Sequence, residues 1–117
     1  MSAMLAVAGL LALVNHARTA DHLQPLSASA TLDVVAAECG EHHLLACARR
    51  HRYHAQAIAM VTAWDQRSRT AVLAAWLDSP AHRALILSST YRIAGVFERP
   101  GFARMVLARP YLAVATR

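Results

Sequence analysis

Apolar and polar positions follow two periods along this chain, a helical spacing in several segments and an alternation of period two in the C-terminal third. Helical spacing predicts a first helix over about residues 3–20 and a second that begins near Thr31. The apolar positions of the first are Met4, Val7, Leu11 and Val14. Those of the second are Leu32, Val35, Ala36 and Cys39.

The rest of the pattern predicts a third helix and three strands. Residues 57–63 are rich in β-branched side chains and lack helix caps, which favours a short buried strand. Ser68 is a predicted N-cap for a helix over residues 69–77. Residues 91–98 alternate with a period of two, and after a turn at 99–101 residues 102–108 return as the partner strand. This order predicts an α+β fold in which helices cover a small antiparallel sheet.

The stretch AWLDSPAHRALIL, residues 75–87, ends one helix and starts another. Serine at the N-cap accepts a free backbone N–H, and proline fits the first helical position, so Ser79 and Pro80 predict a new helix. His82 then lies in its first turn, where the positive end of the helix dipole favours a neutral imidazole. A neutral imidazole can act as a metal ligand or as a base. The structural alternative is a residue of the capping turn with one ring nitrogen in a hydrogen bond.

Composition indicates a single compact domain over residues 1–117, with 56% hydrophobic and 16% charged residues. All 12 basic residues are arginines, a bias typical of a GC-rich genome, and we expect an actinobacterial source. The arginines are scattered apart from a cluster at residues 49–54, which is typical of a solvated connector. We therefore expect no nucleic-acid partner in spite of the net charge of +5.

Two cysteines and an apolar N-terminal segment are the features that relate to the cellular compartment of the protein. On one unbroken helix Cys39 and Cys47 would lie roughly 12 Å apart, so a disulfide requires a break at or after Gly40. Whether they are joined is left open by the sequence. The apolar run over residues 4–14 has no basic residue before it and is too short to span a bilayer. We expect no integral membrane insertion, and for an exported protein we expect a signal upstream of residue 1.

Three sequence patterns, in the same order along the chain, resemble those of the bacterial CAP domain. CAP denotes the superfamily of cysteine-rich secretory proteins, antigen 5 and pathogenesis-related-1 proteins. LVNHARTADHLQPL at 13–26 resembles its first-helix signature, and HAQAIA at 54–59 stands where the family has Gly-Glu-Asn-Ile-Ala. AWLDSPAHRALILSSTYRIAGV at 75–96 is similar to the family's Trp, Ser-Pro, His-Arg and Ile-Leu run with its strand glycine. The resemblance spans roughly residues 4–112, is shortened at its centre, and implies an α-β-α sandwich.

The resemblance also implies a cleft lined by two histidines and two acidic residues that can hold a divalent metal. His82 matches one histidine, but Gln56 replaces the glutamate, and a neutral amide neither balances a dication nor acts as a base. We expect a ligand cleft formed by His82, Gln56, His54 and Asn15, with a hydrogen bond between Gln56 and His82. His82 is also the candidate metal ligand. Possible substitutes for the missing cleft residues are Glu41, His42, His43 and His54. The histidines that could share a zinc or copper ion with His82 are His42, His43, His51 and His54.

We therefore expect a non-catalytic, extracellular or cell-envelope domain with no required cofactor. Its expected ligand is a small apolar or amphipathic molecule, lipid-like or sterol-like, or else a protein partner. These ligand classes and the location are what the resemblance implies. The alternative is a metal-dependent hydrolase that uses His82 with the replacement histidines.

Overall fold

The computed structural model describes residues 9–111 of the chain. Its elements are α1 (Leu10–Ala20), β1 (Ser27–Ala28), α2 (Ala30–Glu38), α3 (Leu44–Arg50), β2 (Ala55–Trp64), α4 (Arg69–Asp78), α5 (Pro80–Ile86), β3 (Ile93–Arg99) and β4 (Phe102–Pro110). The predicted α+β class is confirmed. The start of the predicted first helix, with Met4 and Val7, lies outside the described residues. No helix within residues 9–111 is long and apolar enough to cross a bilayer.

The four strands form one mixed sheet in the order β1-β3-β4-β2. β4 pairs antiparallel with β3, as the alternation predicts, and also with β2. The two-residue β1 adds to β3 in parallel, so the expectation of a purely antiparallel sheet is wrong at this short strand. β2 lies at the opposite edge, where one side of its backbone pairs with β4 and the other faces away from the sheet.

Helices cover both faces of this sheet, and β4 supplies alternate residues to two cores. One core packs α1, α4 and α5 against Ala103, Met105 and Leu107 of β4. The other packs α2 and α3 against Val106 and Ala108. The result is an α-β-α sandwich, which confirms the fold that the resemblance implied.

The helix-start predictions have different outcomes at the two serines. The Ser68 hydroxyl accepts a hydrogen bond from the Ala71 backbone N–H at 3.1 Å, as predicted for the N-cap of α4. Ser79 is the N-cap of α5 and Pro80 its first residue, but the Ser79 hydroxyl caps no backbone N–H. It lies 2.9 Å from Nδ1 of His82 instead. The Ser79 hydroxyl thus contacts the imidazole and does not form the predicted cap.

Gly95 brings β3 so close to the first turn of α2 that no side chain fits between them. A Cβ atom on Gly95 would lie 2.0 Å from the carbonyl carbon of Leu32 and 2.3 Å from the backbone nitrogen of Asp33. The Asp33 carboxylate also accepts a hydrogen bond from the Val96 N–H at 2.8 Å. Because the atoms that a Cβ would meet belong to the backbone, they have little freedom to move aside. Gly95 therefore sets the distance between α2 and the sheet.

The Gly95→Ala substitution tests this contact. Its methyl group forces α2 away from β3, and we expect the free energy of unfolding to fall by about 3 kcal/mol or more. Gly40→Ala is the control, since a Cβ there has no atom within 4 Å. We expect that variant to change stability by less than about 1 kcal/mol. Urea denaturation of both proteins gives the comparison, and equal stabilities would contradict the account.

A buried arginine joins the N-terminal helix to the segment that follows α5. Arg18 is 1% exposed, and burial lowers the pKa of its guanidinium. Its nitrogen atoms donate to four backbone carbonyls, those of Gln24 at 2.9 Å, Ile86 at 2.9 Å, Ser88 at 2.9 Å and Tyr91 at 3.4 Å. Within residues 9–111 no carboxylate forms an ion pair with it. Carbonyl oxygens alone therefore stabilise this buried charge.

Replacement of Arg18 by lysine retains the charge and removes the planar fork of donors. One ammonium group cannot reach all four carbonyls, so we expect the free energy of unfolding to fall by about 3 kcal/mol. The exposed Arg67 provides the control Arg67→Lys, for which we expect a change within about 0.5 kcal/mol. Thermal and urea unfolding check the pair. An Arg18→Lys protein with parental stability would show that the carbonyl contacts carry little energy.

Candidate functional site

A cavity of about 580 Å³ lies along the edge of β2 that pairs with no other strand within residues 9–111. Because β2 ends the sheet, α3 reaches the cavity from one face and α5 from the other. The apolar lining consists of Leu44, Leu45, Ala57, Ile58, Ala59, Met60 and Leu85. The polar lining consists of Glu41, His43 and Gln56. Apolar walls with a few polar groups are typical of a small-molecule site.

Gln56 lies in the cavity at an irregularity of β2. Ala55 pairs with Pro110 and Ala57 with Arg109, so Gln56 is the extra residue of a β-bulge. Arg109 donates from Nε to the side-chain oxygen of Gln56 at 3.3 Å. The amide oxygen therefore has a partner, whereas the amide NH2 group has none among residues 9–111 and can donate to a bound molecule.

His82 lies in the first turn of α5, as predicted, but is not among the residues that line the cavity. The half-buried ring contacts Ser79 through Nδ1, while Gln56 is exposed and bonds to Arg109. No hydrogen bond between Gln56 and His82 is formed in the described part of the chain; Gln56 bonds to Arg109 and His82 to Ser79 instead. Leu85, three residues after His82, provides the α5 side of the cavity wall.

The two remaining predicted cleft residues lie away from this wall. The Asn15 side chain donates to the Leu26 carbonyl at 3.0 Å and accepts from the Leu26 N–H at 2.7 Å, which ties α1 to the connector before β1. His54 is exposed immediately before β2. Neither is among the lining residues of the cavity.

Two of the possible substitutes do reach the cavity, together with leucines that the sequence analysis missed. Glu41 and His43 line it from the turn before α3, where His43 has a left-handed backbone with φ of 62°. Leu44 and Leu45 follow in the first turn of α3. No sequence signal identified them, because α3 is only seven residues long and gives too few turns for a period to emerge.

The possible metal donors come together elsewhere. Within residues 9–111, the one group of three or more His, Cys, Asp or Glu side chains placed to share an ion is Cys39, Cys47 and His51. The cysteines form a disulfide with their Cα atoms 5.9 Å apart. α2 ends at Glu38 and α3 begins at Leu44, so the helical path is interrupted around Gly40, as a disulfide requires. The replacement histidines do not form such a group around His82.

Comparison of the fold with solved structures finds bacterial neighbours. A cysteine-rich secretory protein from Staphylococcus aureus subsp. aureus Mu50 superimposes with a TM-score of 0.81 and 18% identity over 86% of this chain and 37% of that one. An extracellular protein containing an SCP domain from Bacillus anthracis str. Ames gives 0.78 and 20% identity over 86% and 39%. The chain thus spans about two fifths of the length of these two proteins.

A third neighbour is similar in length. It is an outer surface protein from Borrelia burgdorferi, with a TM-score of 0.72 and 18% identity over 86% of this chain and 90% of that one. No curated protein sequence matches the chain significantly. The sequence profile of the cysteine-rich secretory protein family, named CAP, matches residues 11–97. The profile match covers most of the chain, and the shared fold agrees with it: the chain belongs to the CAP family.

Proposed function

We propose that this domain binds a small amphipathic molecule in the cavity beside β2, without catalysing a reaction. The observation that carries the proposal is the arrangement of the lining, in which apolar side chains from both layers of the sandwich form the walls. Polar side chains, Glu41, His43 and Gln56, complete the lining. The volume of about 580 Å³ lies within the range of small-molecule sites.

The apolar walls supply the binding energy in this proposal. Each 100 Å² of ligand surface removed from water there contributes roughly 2.5 kcal/mol before the entropic cost of binding. Gln56 supplies orientation, since Arg109 engages its oxygen and leaves its NH2 group to donate to a ligand oxygen. A hydroxyl, ester or carboxylate oxygen at one end of an apolar body fits this pattern. A lipid-like or sterol-like molecule has that chemistry.

Two further parts of the proposal concern location and catalysis. We propose an extracellular or cell-envelope location, in keeping with the Cys39–Cys47 disulfide and with bacterial neighbours described as extracellular and outer surface proteins. The neutral Gln56 in place of the expected acid supports a binding role. The alternative of a hydrolase centred on His82 has less support, because no group of three donors in residues 9–111 includes this histidine.

A neutral dansyl-labelled monoacylglycerol, titrated into the protein and followed by fluorescence, tests the binding proposal. Leu45→Arg places a charge in the cavity wall at a residue that is already 39% exposed, so it spares the core. We expect the affinity of the probe to fall by about tenfold or more, because the charge is poorly solvated beside an apolar ligand.

Val34→Arg is the matched control for this titration. Val34 is 42% exposed, lies on α2 and is not among the lining residues of the cavity, so its replacement should leave the affinity unchanged. Absence of probe binding by the parent protein would contradict the proposal. An equal loss in both variants would show that the probe binds elsewhere.

The free edge of β2 favours a protein partner as a second candidate. An extended segment of another protein could add to this strand through main-chain hydrogen bonds and place its side chains in the cavity. Native mass spectrometry of the protein purified from its own source separates the two candidates. A bound mass in the lipid range supports the first, and a bound polypeptide that Leu45→Arg releases supports the second.

A further inference from the structure

We propose that reduction of the Cys39–Cys47 disulfide creates a binding site for a thiophilic divalent metal ion, with zinc as the best match. The ligands are the two thiolates and the imidazole of His51. This site lies between α2 and α3, and its chemistry does not depend on the cavity ligand.

The geometry of the donors carries the inference. Cys39 follows the last residue of α2, Cys47 is on α3, and His51 follows α3 directly. One ligand atom from each lies within 4.8 Å of the other two. Cys47 and His51 are four residues apart at the end of one helix, which places them on the same side of it. Two thiolates with one imidazole form three of the four ligands of a tetrahedral zinc site.

Glu38 provides the carboxylate that often supports a metal-bound histidine. Its Oε1 lies 3.3 Å from Nε2 of His51. With Nε2 engaged in this way, Nδ1 remains as the nitrogen for the metal. A carboxylate on the second ring nitrogen orients the imidazole and raises its basicity toward the metal. The fourth coordination position is left to water.

The backbone around the two sulfur atoms has supports besides the disulfide. Arg104 donates from Nη1 to the carbonyls of Cys39 at 2.8 Å and Ala36 at 3.3 Å, which holds the end of α2 against β4. Ala48 is fully buried and Leu44 nearly so, which anchors α3 in the same core. We therefore expect the two thiols to remain neighbours after reduction. Thiolates on one zinc ion lie roughly 3.8 Å apart, a spacing that side-chain rotation provides.

The conversion balances as a two-electron exchange followed by metal binding. An external dithiol transfers two electrons and two protons to the disulfide, which yields two cysteine thiols and an oxidised dithiol. Metal binding then forms two metal–sulfur bonds and one metal–nitrogen bond, and each thiol loses its proton to solvent. In the reverse direction an external disulfide accepts two electrons from the thiolates and becomes a dithiol, while the Cys39–Cys47 bond forms again and the ion is released. The same residues thus alternate between a disulfide and a metal site.

Cobalt(II) titration of the full chain tests the proposal, because cobalt bound to thiolates has a charge-transfer absorption in the near ultraviolet. The protein is reduced with a phosphine, freed of reductant without oxygen, and checked for its fold by circular dichroism. We expect one cobalt ion per reduced chain with thiolate absorption that excess zinc removes, and no such absorption for the oxidised chain. Cobalt binding without thiolate absorption would overturn the proposal. So would a fold lost on reduction that cobalt does not restore.

Two histidine variants separate this site from simple binding to free thiols. His51→Ala retains both cysteines, and we expect its cobalt affinity to fall by about tenfold or more with a changed visible spectrum. His42→Ala is the control, since His42 is exposed and outside the donor group, and its affinity should equal that of the parent. Equal affinities for His51→Ala and His42→Ala would show that His51 is not a ligand and would overturn the proposal.

Discussion

The buried guanidinium of Arg18 is the constraint on which the candidate site depends. A charge that is 1% exposed must find polar partners inside the protein, and here these are backbone carbonyls on both sides of the turn that follows α5. Arg109, which orients Gln56, donates to the Thr90 carbonyl within that same turn at 3.3 Å. One chain of hydrogen bonds therefore joins α1, the end of α5 and the bulge of β2. Arg18 therefore helps to position the polar end of the cavity, although it does not line the cavity.

The opposite wall of the cavity is held by different chemistry. The α3 helix is short, and it is fixed by the disulfide, by burial of Leu44 and by the link from Arg104 to the end of α2. Because α3 lies on the face of the sheet opposite to α5, the edge strand β2 stands between two separately anchored helices. An edge strand normally risks pairing with other chains. Here the two helices narrow access to that edge and turn it into the floor of a cavity.

Local signals predicted the fold better than they predicted the site. Ser68, the Ser79-Pro80 pair and the period-two alternation identified α4, α5 and the hairpin because each depends on neighbouring residues alone. β1 has only two residues, which is too short for an alternation to show. Its parallel pairing depends on β3, which lies far along the chain. The partner of Gln56 depends on the register of β2 against β4, which places Arg109 beside it. The expected bond between Gln56 and His82 also depends on how distant segments pack, so the sequence alone could not decide it.

The central claim is that the cavity between α3, β2 and α5 is where the ligand binds. Amide chemical-shift mapping by NMR, with a neutral amphipathic monoacylglycerol added to the isotope-labelled protein, tests this claim most directly. The account predicts saturable shifts at residues 41, 43–45, 56–60 and 85, the lining of the cavity. The exposed face of α2 should show only small shifts. Shifts that cluster on another surface, or none at all, would contradict it.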